Sequence, residues 1–305
     1  MRQRQVGSSG FSVGALGLAC ALLSTEHGSR AEADHEGVAI VHLALDLGLT
    51  LLDTSDAVGP FTNELLVGRA LESRRDEAVL ATRVGLVRQP DGTLLRAGTP
   101  AHVRAACDHS LRRLRTDRID LYQLEAVDPS VPVEETWGAM AELVAEGKVR
   151  ALGLVEPSGD SLPRCQTHFP VTAIQAELSL AHPDRLDLVR WCTSHGVGFL
   201  ASAPLARGVL AGRQHEVAVD TTPVRRHPWV SLGDRRPDPA SLDHLRRVAE
   251  RLGRPRPQVA VAWLLAQGPT VVPLVGSTRP DHLRELAAAV ELTLTPEDLA
   301  ELAGG

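Results

Sequence analysis

Short, nearly unbroken apolar runs recur along this chain, and between them apolar residues return every three or four positions. The first pattern predicts buried strands and the second predicts amphipathic helices. Strands are expected at 15–19, 49–53, 78–83, 119–125, 149–155, 171–177, 197–203 and 270–275. Helices are expected at 33–47, 63–71, 99–115, 133–146, 186–194, 242–252, 258–266, 281–289 and 296–302. Residues 4–19 begin with two short strands around Gly7-Ser8-Ser9-Gly10. Local punctuation agrees: Gly48 and Gly147 supply helix stops, and Thr99 before Pro100 is an N-cap followed by proline at the first helical position.

Continuous apolar strands alternating with helices indicate a parallel sheet covered on its faces. Eight such units in 305 residues fit a (β/α)8 TIM barrel with a short N-terminal β-hairpin, read as one domain over 1–305. A doubly wound sheet would need a glycine fingerprint after its first strand, and Leu16-Gly17-Leu18-Ala19 does not provide one. The stretch 211–239, rich in Pro, Arg and His, is a candidate lid over the barrel mouth.

Composition narrows the partners. With 43% hydrophobic and 23% charged residues, the chain has ample material for a soluble core. A net charge of −6 argues against nucleic acid or an anionic membrane as partner. No apolar run approaches the ~20 residues of a membrane span, and MRQRQVGSSGF lacks the apolar segment of a secretory signal. Cys20, Cys107, Cys165 and Cys192 form no CxxC pair, which fits reduced thiols in a cytoplasmic protein. His27, His35 and His42 lack tight ligand spacing, so no metal site is expected. Lys148 is the only lysine and Tyr122 the only tyrosine. The Arg-rich, Lys-poor composition is associated with high-GC bacterial sources.

Candidate chemistry begins at 51–60, LLDTSDAVGP, where a buried strand delivers Asp53 to a loop of small polar residues. A carboxylate at the carboxyl end of a barrel strand lies where such folds place their chemistry. LLDTSDAVG, VGRAL, LRRLRTDRIDLYQLEAVDPSVPVEETWGAMAELVAEGKVRALGL, QAELSL, APLARGVLAG and VVPLVGSTRPDHL together resemble the aldo-keto reductases over nearly the whole chain. That resemblance implies a (β/α)8 barrel transferring hydride from NADPH to a carbonyl through an Asp, Tyr, Lys and His tetrad. A carbonyl accepting hydride develops an alkoxide, which calls for a proton donor and oxyanion stabilisation.

By the resemblance, Asp53 stands at the Asp position, Val58 at the Tyr, Arg83 at the Lys and Glu125 at the His position. Arg83 and Asp53 are expected to form an ion pair, and Glu125 either acts as a general acid or pairs with Arg83. Tyr122, three residues before Glu125 on the same strand, should face the surrounding helices by alternation. At the implied nicotinamide site Gln175 is kept, while Val155, Glu156 and Leu178 replace the expected polar and stacking groups; Glu156 would need a partner. Leu205, Arg207 and Gly208 resemble the pyrophosphate loop. Gly276, Ser277, Thr278 and Arg279, followed by His282 and Glu285, resemble the segment that binds the NADP(H) 2′-phosphate and adenine, with Leu286 at its usual Asn.

Three functions remain open at this point, and the joint substitutions favour the first. The first is loss of standard NADPH-dependent carbonyl reduction, with redox-neutral acid–base chemistry (dehydration, elimination, isomerisation or cyclisation) on a small organic molecule. The second is an NADPH-dependent reductase of a carbonyl or activated C=C bond, with Glu125 or water as proton source. The third is a non-catalytic binding or partner subunit.

Overall fold

An antiparallel pair, β1 (Gln3–Val6) and β2 (Phe11–Gly14), precedes a closed barrel. The computed structural model describes residues 1–7, 10–24, 31–59, 61–89, 91–212 and 238–304. The barrel strands are β3 (Gly17–Ala19), β4 (Leu51–Asp53), β5 (Val79–Val84), β8 (Ile119–Leu124), β9 (Val149–Val155), β10 (Val171–Glu177), β11 (Gly198–Ser202) and β12 (Val271–Val275). All eight neighbouring pairs are parallel, and β12 closes onto β3. A second antiparallel pair, β6 (Leu86–Arg88) with β7 (Leu94–Arg96), rises from the end of β5. The architecture is the expected (β/α)8 barrel with an N-terminal hairpin.

The helices that wrap it are α1 (Ala31–Asp46), α2 (Thr62–Ala70), α3 (Pro100–Leu114), α4 (Val133–Ala145) and α5 (Ser161–His168). They continue with α6 (Leu186–His195), α7 (Pro239–Leu252), α8 (Arg256–Ala266), α9 (Pro280–Ala287) and α10 (Pro296–Leu302). The Thr99 hydroxyl accepts from the His102 amide at 3.3 Å, closing the N-terminus of α3 as its sequence predicts. Gly48 and Gly147 take positive φ at the ends of α1 and α4, a conformation that costs glycine little.

Alternation along the strands divides the core in two. Leu51, Ala81, Leu121, Ala151, Ala173, Leu200 and Val272 fill the barrel interior together with Val6, Phe11 and Val13, so the hairpin plugs the amino-terminal end. Leu52, Leu80, Tyr122, Leu152 and Ile174 face outward into a larger layer shared with the helices.

Two elements differ from the sequence expectation. Helix α5 was not anticipated: it is eight residues long, contains Pro163 and buries only Ser161 and Cys165. Residues 86–96 form a strand pair rather than loop. The expected lid, 211–239, lies outside the described residues apart from its first two and last two positions. Among the described residues, no helix is long and apolar enough to cross a membrane.

Candidate active site

The period of two that fills the barrel also builds the site. One step above the apolar interior layer, the same inward faces carry Asp53 on β4, Arg83 on β5, Gln123 on β8 and Gln175 on β10. The strand register sets Asp53 beside Ala81 and Arg83 beside Gln123, which brings the four side chains together. Gly153 on β9 leaves the space Gln123 needs, since a Cβ there would lie 3.0 Å from the Gln123 Cγ.

Arg83 is the hub. Its Nη2 donates to Asp53 Oδ2 and its Nη1 donates to Glu125 Oε1 at 3.2 Å. The Gln123 amide donates to Asp53 Oδ1 at 3.2 Å, and in either orientation of its amide Gln175 contacts Asp53 at 3.3 Å. Burial pushes the Asp53 carboxyl above its usual range, and Arg83 and Gln175 pull it back only in part. Burial alone would lower the Arg83 guanidinium, but Asp53 and Glu125 outweigh that and hold it above its ordinary value. Arg83 therefore stays a cation and is not a proton source.

Glu125 lies one further step along β8, at the rim. Its side chain keeps 11% exposure against 3% for Asp53. Its second oxygen accepts from Ser55 Oγ at 3.2 Å, and Ser55 Oγ in turn accepts from the Ala57 amide at 3.2 Å. The loop that holds Val58 is thereby tied to the carboxylate. Val58 itself is half-buried and offers no polar group. Tyr122 faces the helices as alternation predicts, fully buried, and its hydroxyl has no partner among the described residues. Asp56 is also buried, with Oδ1 unpartnered among the described residues; burial first, then Glu64 and Glu125, raise its carboxyl well above the usual range.

A second tier of charge lies at the ends of β9 and β10. Glu156 accepts from the Glu177 amide at 2.5 Å and from Arg185 at 3.1 Å; its side chain is half-buried rather than buried. Arg207 donates to Glu177 Oε2 at 2.9 Å. Leu178 is fully buried in the outer layer. Glu156, Ala203, Ala206 and Arg207 all take positive φ, together with Gly208. Non-glycine residues in that region are sparse and concentrate at functional loops. Arg207 and Gly208 thus stand on a turn of positive φ after β11, next to Leu205.

After β12, Gly276, Ser277, Thr278 and Arg279 turn into α9. The Ser277 hydroxyl accepts from the Arg279 amide at 3.0 Å and donates to its carbonyl at 3.1 Å. Thr278 and Arg279 are exposed, and the Arg279 guanidinium enters no ion pair among the described residues. Glu285 is half-buried on α9, where its carbonyl accepts from Gln258 at 3.0 Å, and Leu286 is buried.

The barrel end thus joins Asp53, Arg83, Glu125 and Gln175, while Arg207 and the segment 276–279 stand on the loops after β11 and β12. Sequence reasoning missed four contributors. Gln123 and Ser55 were accessible, since each shares an inward face with a residue already singled out two positions away. Glu177 lay within the quoted QAELSL. Arg185 precedes α6 with no local signal, and only the fold brings it to Glu156. The four cysteines are buried and free, and burial pushes the thiols of Cys107, Cys165 and Cys192 up to about 12. Among the described residues, no group of three or more His, Cys, Asp or Glu could hold a metal ion.

Comparison with known proteins agrees in sequence and structure. The model of the aldo/keto reductase family matches residues 21–304. A probable aldo-keto reductase of Glycine max is 34% identical over 301 residues, spanning 98% of this chain and 87% of that protein. The glycerol dehydrogenase of Gluconobacter oxydans superposes with a TM-score of 0.86 at 28% identity, over 98% of this chain and 93% of its own. An aldo/keto reductase from Klebsiella pneumoniae, solved in complex with NADP and acetate, superposes with a TM-score of 0.75 at 26% identity, over 99% of this chain and 94% of its own. With the barrel, the inward polar layer and these matches in agreement, the chain belongs to the aldo/keto reductase family.

Proposed function

We propose that this protein is an NADP(H)-dependent oxidoreductase that reduces a polarised double bond, a carbonyl or an activated C=C bond, in a small organic molecule. The observation that carries this reading is the pair of loops after β11 and β12. One holds a run of positive-φ residues at Ala206, Arg207 and Gly208, and the other presents Arg279 exposed and without an ion-pair partner among the described residues. A guanidinium without an ion-pair partner among the described residues suits a phosphate. The residues fit the phosphate half of NADP(H). At the nicotinamide end Glu156 and Glu177 are neutralised by Arg185 and Arg207, so no unpaired charge opposes the ring.

The bound dinucleotide would supply the hydride; the chain supplies position and charge. Asp53 and Glu125 fix Arg83, which keeps the two carboxylates from repelling each other at the floor of the site. Glu125, at the rim and in contact with Ser55, positions the water that returns a proton. Val58 cannot do so, and Tyr122 faces the wrong layer. The tetrad is then reduced to Asp53 with Arg83 and Glu125 in altered roles. The NADP complex and the oxidoreductase names of the relatives support this reading over the redox-neutral acid–base chemistry that the substitutions suggest.

NADPH titrated into the purified protein should give saturable quenching of tryptophan fluorescence. Arg279→Ala should weaken that binding by about tenfold or more, the size of a charge-assisted contact. Absence of saturable binding at millimolar NADPH would sink the reading. Glu125→Gln should lower turnover and leave NADPH affinity unchanged.

A further inference from the structure

We propose that the double bond reduced at this site is the C=N bond of an imine bound as its iminium cation, with Glu125 as the counter-ion that keeps the proton on nitrogen. The inference rests on the NADP(H)-dependent reading and names its substrate class. Its starting point is the charge of the chamber. Asp53 and Glu125 face a single guanidinium, Arg83. Further out, Glu156 with Arg185 and Glu177 with Arg207 are balanced pairs, so neither arginine is spare for an anionic substrate. Arg88 and Arg96 of the β6–β7 pair donate to the Ala57 and Val127 carbonyls at 3.4 and 3.3 Å. The buried part of the site therefore carries an excess of negative charge, and a partly dry cleft of one sign favours a ligand of the other.

The second observation is the scarcity of acids. Carbonyl reduction needs a proton on the developing alkoxide, and the side chains joined to Asp53 are Arg83, Gln123 and Gln175. Arg83 does not release a proton, the amides are not acids, and the chain's only tyrosine lies in the outer layer. Glu125 presents acceptor oxygens, one to Arg83 and one to Ser55. An iminium removes the requirement, because it arrives with its proton. A hydride from bound NADPH would add to the iminium carbon, the C=N π pair would become the nitrogen lone pair, and NADP+ would be the oxidised product. The neutral amine then takes a proton from water. No oxyanion forms at any point, so a site without a phenol suffices. Positive charge is dispersed in this transition state, and the Glu125 carboxylate must hold the cation without outcompeting hydride addition.

The test compares ring-matched electrophiles: pyrroline against cyclopentanone, and dihydroisoquinoline against tetralone, each followed as NADPH consumption. Calorimetry without cofactor compares the fixed cation dimethylpyrrolidinium with cyclopentanone. The expected result is a preference of about tenfold or more for the imines in turnover and for the cation in binding. Glu125→Gln should abolish both preferences, and Glu125→Asp should keep them, which separates lost charge from lost folding. Equal or better use of the ketones, or equal binding of cation and neutral ring, would overturn the substrate class while the NADPH titration still stands. If NADPH itself does not bind, the oxidoreductase reading fails first and imine reduction fails with it.

Discussion

At the residue scale, the site is a competition among buried charges that a single arginine resolves. Arg83 links Asp53, on β4, to Glu125, at the end of β8, and without it two carboxylates would face each other in a nearly dry space. For Asp56, burial outweighs the help of Arg113 and the Ala57 amide. Its folded carboxyl is raised well above its ordinary value, so its contribution to stability is complete below the unfolded value near pH ~4 and is lost as pH rises toward the folded one. Asp56→Asn should leave stability near pH 4 little changed and raise it increasingly toward neutral pH, as urea unfolding at a series of pH values would reveal. An advantage that shrinks with rising pH would contradict the assignment. Tyr122 poses the complementary case, a buried hydroxyl without a partner among the described residues. Tyr122→Phe should be neutral or stabilising by about 1 kcal/mol and leave turnover unchanged. Loss of activity in that variant would restore the phenol to the mechanism.

At the element scale, legibility followed the strength of the local pattern. The barrel strands are continuous apolar runs, and every one lies where the chain's hydrophobicity places it, with boundaries shifted by a residue or two. The Thr99-Pro100 cap and the Gly48 and Gly147 stops are local chemistry and are readable as such. Helix α5 failed the same reading because its amphipathic face is one contact wide, Ser161 and Cys165, and Pro163 argues against helix unless it is placed in the first turn. The β6–β7 pair has a turn signal in Pro90-Asp91-Gly92, but its strands are three residues long and carry exposed Leu95 and half-buried Leu94, so no apolar face marks them. Within the site, Gln123 and Ser55 follow from alternation once Glu125 and Asp53 are placed. The Glu156–Arg185 pair does not, because 29 residues and a whole helix connection separate its members. Side-chain pairs that depend on how successive loops meet at the barrel mouth have no sequence period to betray them.

At the scale of the whole molecule, a closed barrel has no edge strand, and its interior is sealed at one end by the hairpin rather than by side chains of the strands alone. Val6, Phe11 and Val13 share the interior cluster with Leu51, Leu121, Leu200 and Val272, and the Arg150 guanidinium lies 4.6 Å from the Phe11 ring centroid. Arg4 fastens the hairpin to the outer layer by donating to the carbonyls of Leu265 at 2.8 Å and Gly268 at 2.6 Å. The plug is thus continuous with the core that positions Asp53, Arg83 and Gln175 two residues above it. Phe11→Ala removes a ring that is 4% exposed and leaves a cavity against the first interior layer. The expected cost is about 3–5 kcal/mol, the range for deleting a buried aromatic ring. Because the strands close on one another, that loss should appear as an earlier midpoint with an unchanged slope in urea, reported identically by tryptophan fluorescence and far-ultraviolet circular dichroism. A separate early transition confined to one probe would mean that the hairpin docks on a barrel stable without it.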